Sequence, residues 1–112
     1  MAITSEIIGK LGGGGVETIP VEAETYGGDS AHLTTINTEN ERTLIVLDGH
    51  LDYEGTQSRN FPNISTNLRE EERAKGDVAY VWETSENLTI TLVNNSTGTA
   101  AKFVGHVYTA KM

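Results

Sequence analysis

The chain has no cysteine, little proline, few aromatic residues and no long hydrophobic run. Without cysteine it can hold neither a disulfide nor a thiolate metal site, a composition that fits a reducing compartment. An apolar run such as Leu44–Leu47 is far shorter than the ~20 residues that cross a bilayer, so we expect no transmembrane helix and no membrane partner. The N-terminus lacks the basic region and the continuous apolar region of a signal peptide, which predicts synthesis in the cytoplasm.

Basic residues are also scarce. Eight Lys and Arg stand against sixteen Asp and Glu, which gives a formal net charge of −8. An average surface of this sign repels nucleic acid, because nucleic-acid binding needs Lys and Arg to neutralise phosphates. We therefore expect no nucleic-acid partner. The length of 112 residues fits one domain with a small core.

Four consecutive glycines, Gly12, Gly13, Gly14 and Gly15, divide the chain into two parts. Because glycine loses more conformational freedom on ordering than any other residue, the run predicts a flexible hinge. We expect an N-terminal arm with its joint over residues 1–15 and a single β-domain over residues 16–112. Four apolar residues of the arm, at roughly helical spacing, form a candidate docking stripe for a neighbouring subunit or for the chain's own body. They are Ile3, Ile7, Ile8 and Leu11.

Beyond the joint, apolar and polar residues alternate with period two, as in strands that bury one face. The predicted strands are a first one from Val16 through Ala23, then His32–Asn37, Arg42–Tyr53, Asp77–Glu83, Leu88–Val93 and Ala101–Ala110. We interpret Gly49 as a bulge or bend, Gly55–Ile64 as a loop, and Leu68–Lys75 as a short helix capped by Asn67 and Glu70.

These elements predict an all-β fold. About six or seven strands, connections of hairpin length and one short helix favour an antiparallel β-sandwich or a small barrel, with the flexible arm attached. The last three strands are expected to form consecutive hairpins. The predicted core residues are Ile19, Val21, Leu33, Ile45, Leu47, Leu51, Tyr53, Val78, Tyr80, Trp82, Leu88, Ile90, Leu92, Phe103 and Val107.

Two groups of residues offer binding chemistry. Asp48, His50, Asp52 and Glu54 alternate along one face of the third strand, where they would either meet a cation or form the solvent face of an amphipathic strand. The second interpretation is preferred, since same-face neighbours lie ~6.6 Å apart along a strand. The aromatic residues Tyr26, Phe61, Tyr80 and Trp82 would form either a sugar platform or, as we prefer for Trp82 and Tyr80, part of the core.

No catalytic or cofactor motif is recognisable. The glycine run lacks the Gly-Lys-Ser/Thr ending of a phosphate loop, and no Gly-x-Ser-x-Gly elbow accompanies the three histidines. We therefore expect a protein that is not an enzyme and that uses no cofactor or metal.

In overall plan the chain resembles the small accessory proteins of tailed bacteriophage virions, above all capsid decoration proteins and related head or tail subunits. The resemblance rests on the arm Ile3–Leu11, the joint Gly12–Gly15, the strand Thr18-Ile-Pro-Val-Glu-Ala and the closing hairpin from Leu88 to Thr109.

The resemblance implies a function in capsid stabilisation. Such proteins sit as homo-oligomers, often trimers, on the outer capsid lattice and reinforce it against the pressure of the packaged DNA. The implied partners are the major capsid protein and further copies of this chain, the implied location is the virion surface, and Ile3, Ile7, Ile8 and Leu11 are the implied contact residues. The alternatives are a phage tail or fibre subunit and a non-catalytic β-sandwich module that binds carbohydrate or calcium.

Overall fold

The computed structural model describes residues 16–96 and 98–112, which form seven strands in two antiparallel sheets. The strands are β1 (Val16–Thr25), β2 (Ser30–Ile36), β3 (Thr43–Tyr53), β4 (Asn63–Thr66), β5 (Gly76–Thr84), β6 (Leu88–Val93) and β7 (Ala101–Lys111). The larger sheet has the order β1-β7-β3-β5 and the smaller sheet the order β2-β6-β4. The predicted all-β, sandwich-like fold is confirmed. No helix within these residues is long and apolar enough to cross a membrane.

Successive strands alternate between the two sheets. The odd-numbered strands build the larger sheet and the even-numbered strands the smaller one, so no two consecutive strands pair with each other. The predicted consecutive hairpins of β5, β6 and β7 are therefore wrong. Short loops and alternating polarity are common to hairpins and to crossings between sheets, and the period shows which face of a strand is buried but not which strand lies beside it.

The predicted helix over Leu68–Lys75 is also wrong. This segment is extended and lies beside β4, where the Glu71 N–H donates to the Ile64 carbonyl at 2.9 Å and the Ala74 N–H donates to the Pro62 carbonyl at 3.0 Å. The segment thus covers an edge of the smaller sheet that would otherwise leave backbone groups unpaired. That tertiary pairing outweighs the local helix propensity. The only helix among the described residues is a 3-10 turn at Ser58–Asn60.

The proposed helix cap takes part in a different set of contacts. Thr66 Oγ1 accepts hydrogen bonds from the N–H groups of Leu68 and Arg69, both at 3.1 Å, and so forms a turn. Asn67 instead bonds across to the start of β6, where its Oδ1 accepts from the Thr89 N–H at 2.9 Å. The sequence pattern predicts no strand at β4, because the first half of β4 falls inside the predicted loop Gly55–Ile64 and the second half follows it directly.

The core lies between the sheets. Every predicted core residue belongs to it or packs against it, and the structure adds Ile36, Ile64 and Ala101 to its buried members. The largest fully buried side chains of this core, among the described residues, are Trp82 and Phe103. The core prediction is thus confirmed, because period-two patterning identifies inward-facing positions without knowledge of strand order.

Gly49 is not a bulge. The register of β3 against both neighbours continues through it, and Gly49 lies directly opposite Gly105 of β7. A Cβ built on Gly49 would come within 2.6 Å of the Phe103 ring and 2.5 Å of the Val104 carbonyl oxygen. Both glycines therefore allow two backbones to lie close together beneath an aromatic ring. The irregular register lies instead in β2, between His32 and Thr34.

A buried polar network stabilises the end of β6. Asn94 is 1% exposed, its Nδ2 donates to the Thr99 carbonyl at 2.7 Å, and its Oδ1 accepts from the Ser96 N–H at 3.0 Å. Its backbone pairs with the loop between β1 and β2, where the Asn94 N–H donates to the Asp29 carbonyl at 3.0 Å. The Asn94 side chain therefore pairs with two backbone groups of the connection between β6 and β7.

We expect Asn94→Ala to lower the free energy of unfolding by about 1–3 kcal/mol, because it leaves the Ser96 N–H without its acceptor and removes one of the two donors to the Thr99 carbonyl. Urea unfolding followed by Trp82 fluorescence measures the change. The matched control is Asn95→Ala, since Asn95 is exposed and its side chain makes one long bond, at 3.3 Å, to Asn63. Equal effects of the two substitutions would contradict a structural role specific to Asn94.

Candidate functional site

The predicted arm contacts Ile3, Ile7, Ile8 and Leu11 and the hinge Gly12–Gly15 lie outside the described residues. The described residue that follows the hinge directly in the chain is Val16, so the surface of interest is the part of the larger sheet around Val16. Val16 begins β1 at the edge of the larger sheet and pairs with Ala110 near the end of β7.

The acidic residues of β3 do not converge on a cation. Asp48, His50 and Asp52 point away from the core, and the His50 Nδ1 atom lies 2.9 Å from the Asp77 Oδ1 atom on β5. Within residues 16–96 and 98–112 there is no group of three His, Asp or Glu residues arranged to hold a metal ion. Strand spacing separates these carboxylates, as expected for one face of an amphipathic strand.

The aromatic residues do not form a sugar platform. Trp82 is 1% exposed and lies in the core with Tyr80, their ring centroids 6.1 Å apart. Phe61 packs edge-on against Tyr53 at 5.9 Å, while Tyr26 is exposed elsewhere. The prediction that Trp82 and Tyr80 belong to the core is confirmed, and Trp82 has no face available for stacking on a ligand.

Two polar atoms in this aromatic region have no hydrogen-bond partner among the described residues: the Tyr80 hydroxyl and the Trp82 Nε1. Burial raises the pKa of Tyr80, and the nearby carboxylates of Glu71 and Glu72 raise it further. The Arg69 guanidinium lies 5.7 Å from the centroid of the Trp82 ring and donates to the Val81 carbonyl at 2.7 Å. Arg69 thus makes a cation–π contact with the Trp82 ring and helps to shield that ring from solvent.

The outer face of the larger sheet carries the most distinctive surface. Residues paired across antiparallel strands project from the same side, so the register aligns the outward side chains in rows. Where β1 begins, the first row is Val16, Ala110, Leu44 and Glu83, and the second is Thr18, Tyr108, Val46 and Val81. We call Leu44, Val46, Val81, Tyr108 and Ala110 the apolar end.

The apolar end is a cluster separate from the core. Leu44, Val46 and Ala110 are buried there, and the partly buried Tyr108 packs against them. Arg42 and Glu83 lie at its rim, with Arg42 Nε 3.1 Å from Glu83 Oε1. The hydrogen bond to this carboxylate, and then its charge, raise the pKa of Arg42.

The other end of the same face is charged. Moving away from the apolar end, the rows become Pro20, His106, Asp48 and Ala79, then Glu22, Val104, His50 and Asp77, and finally Glu24, Lys102 and Asp52. Lys102 Nζ lies 3.2 Å from Glu22 Oε1. The outer face of the larger sheet is therefore apolar at one end of its strands and charged at the other. This polarity would orient a docking partner.

Sequence reasoning missed the apolar end, although a signal for it is present. Leu44–Leu47 is a run of apolar residues, and a strand that is apolar on both faces is typical of burial on both sides. Ile45 and Leu47 are predicted core residues, whereas Leu44 and Val46 carry no predicted role. The register across β7, which places Ala110 and Tyr108 beside them, becomes visible only in the folded sheet.

Comparisons of the chain with models of protein families, with curated proteins and with solved structures found no match.

Proposed function

We propose that the protein is a structural virion protein of the capsid decoration type that binds the outer capsid lattice and stabilises it. The observation that carries this proposal is the apolar end of the larger sheet, beside the point where the N-terminal arm joins β1. Its side chains face away from the domain's own core, and an apolar cluster on the outward face of a sheet is typical of contact with a further polypeptide segment. The proposal gives the arm the contact with neighbouring subunits.

The shape of the domain supports an assembly function. Two antiparallel sheets enclose one core between them, and the outer faces of such sheets can face solvent or a partner. The net charge of −8 keeps such a surface soluble at high local density on a shell. The alternative of a carbohydrate-binding module is disfavoured, because Trp82, the tryptophan that would stack on a sugar, is buried.

Removing residues 1–15 is expected to abolish binding to capsids while the β-spectrum stays unchanged. The physical reason is that the arm supplies the apolar contact residues Ile3, Ile7, Ile8 and Leu11, whereas every described strand begins at Val16 or later. The test mixes the purified chain with shells of the major capsid protein from the same virus and sediments the shells. The full chain should sediment with them and the shortened chain should stay in the supernatant.

Circular dichroism of the shortened chain is the control for folding. A shortened chain that folds and still sediments with the shells would contradict the role of the arm. A full chain that never sediments with them would overturn the proposed function itself. Light scattering after size exclusion adds the oligomeric state, for which we expect a trimer or another closed oligomer whose mass is unchanged by calcium or EDTA.

A further inference from the structure

The apolar end is more buried than its place in the fold explains. Leu44, Val46 and Ala110 are 7%, 1% and 2% exposed, although they face away from the core between the sheets. No other strand of residues 16–96 and 98–112 lies over this face, because the smaller sheet packs on the opposite side. On the same face Val81 and Val104 are 46% and 47% exposed.

We propose that the N-terminal segment Ile3–Leu11 of the same chain lies on the apolar end and covers it. The segment supplies apolar side chains at roughly helical spacing, which is the pattern of a helix that docks one face on an apolar surface. Its partner surface is also aliphatic, apart from the Tyr108 ring, so the contact would leave no charged group unpaired beneath it.

The connection between the segment and the domain has the necessary reach. Val16 pairs with Ala110, which in turn pairs with Leu44, so the centre of the apolar end lies two strand spacings, roughly 10 Å, from the start of β1. The four residues Gly12–Gly15 span at most ~14 Å when extended. Glycine also adopts the backbone conformations needed to reverse direction at the sheet edge.

The same connection favours the chain's own segment over that of a second copy. A short flexible link holds the segment at an effective concentration in the millimolar range, well above the concentration of free protein in solution. β1 runs from the apolar end towards the charged end, so the segment reaches the sheet at the row that contains Ala110 and Leu44. An arm held in this way is also positioned for exchange with an equivalent copy.

Disulfide trapping tests the placement in the free, full-length protein. The natural chain has no cysteine, so any pair introduced is the only pair present. Ile3, Ile7, Ile8 and Leu11 are replaced by cysteine in turn, each together with Val81→Cys. The matched control uses the same arm variants with Val104→Cys, since the two valines are equally exposed on the same face but only Val81 belongs to the apolar end.

We expect at least one arm position to form an intramolecular disulfide with residue 81 on the order of tenfold faster than with residue 104, because the local concentration differs. Mass spectrometry and non-reducing gels identify the product. Equal rates with both valines would overturn the proposal. Faster trapping at residue 81 that yields only covalent dimers would also overturn it, and would assign the surface to the arm of a second copy.

A second full-length variant gives an independent measurement. Ile7→Asp combined with Ile8→Asp places two charges in the segment, and we expect several-fold higher fluorescence of the dye ANS as the apolar end becomes exposed. An unchanged signal would count against the proposal. Both measurements use the free protein, so their outcome is separate from capsid binding and from the proposed function.

Discussion

Gly105→Ala is expected to lower the free energy of unfolding by about 3 kcal/mol or more, the upper end of the range for overpacking a core. A Cβ on Gly105 would lie 2.2 Å from the carbonyl oxygen of Asp48 and 2.7 Å from the Cα of Gly49. Both atoms belong to the backbone of β3, so no side-chain rotation relieves the clash. The strands would have to separate at the centre of the larger sheet, where β7 pairs with both β1 and β3.

Urea unfolding followed by Trp82 fluorescence measures this effect. The control is Val104→Ala, on the neighbouring residue of the same strand, which is 47% exposed and should change stability by less than ~0.5 kcal/mol. A Gly105→Ala protein as stable as this control would show that β3 and β7 are farther apart than the register of Gly49 and Gly105 implies.

Trp82→Ala is expected to lower the free energy of unfolding by about 3–5 kcal/mol, because it removes the largest fully buried side chain. Trp82→Phe should have a much smaller effect, below ~2 kcal/mol. Phenylalanine keeps most of the ring contacts and removes the indole N–H, whose Nε1 is buried without a partner among the described residues. Burying such a donor disfavours folding by about 1–3 kcal/mol, so its removal offsets part of the lost packing.

Circular dichroism is the measurement for both variants, since Trp82 is the only tryptophan and its fluorescence is lost on substitution. The informative quantity is the loss of unfolding free energy in Trp82→Phe relative to the loss in Trp82→Ala. If Trp82→Phe destabilised the protein as much as Trp82→Ala, the indole N–H would have a hydrogen-bond partner in solution, and the burial of an unpaired donor would be refuted.

The apolar end could not be predicted from the sequence. Leu44 and Val46 were visible as part of an apolar run, but their neighbours on the sheet, Ala110 and Tyr108, lie more than sixty positions away in the chain. Similarly, the segment after Asn67 has strong helix formers, yet the edge of β4 draws it into an extended conformation. In both places a distant strand supplies the deciding contact.

What the sequence determined by itself is the class of the fold, the inward face of most strands and nearly all of the core. These follow from period-two patterning and turn residues, which act over a few neighbouring positions. The tertiary structure alone decided that successive strands alternate between sheets, that Gly49 meets Gly105, and that one end of the outer face is apolar. Strand order depends on which distant segments pair, and the polarity pattern of a strand is the same whichever neighbour it has.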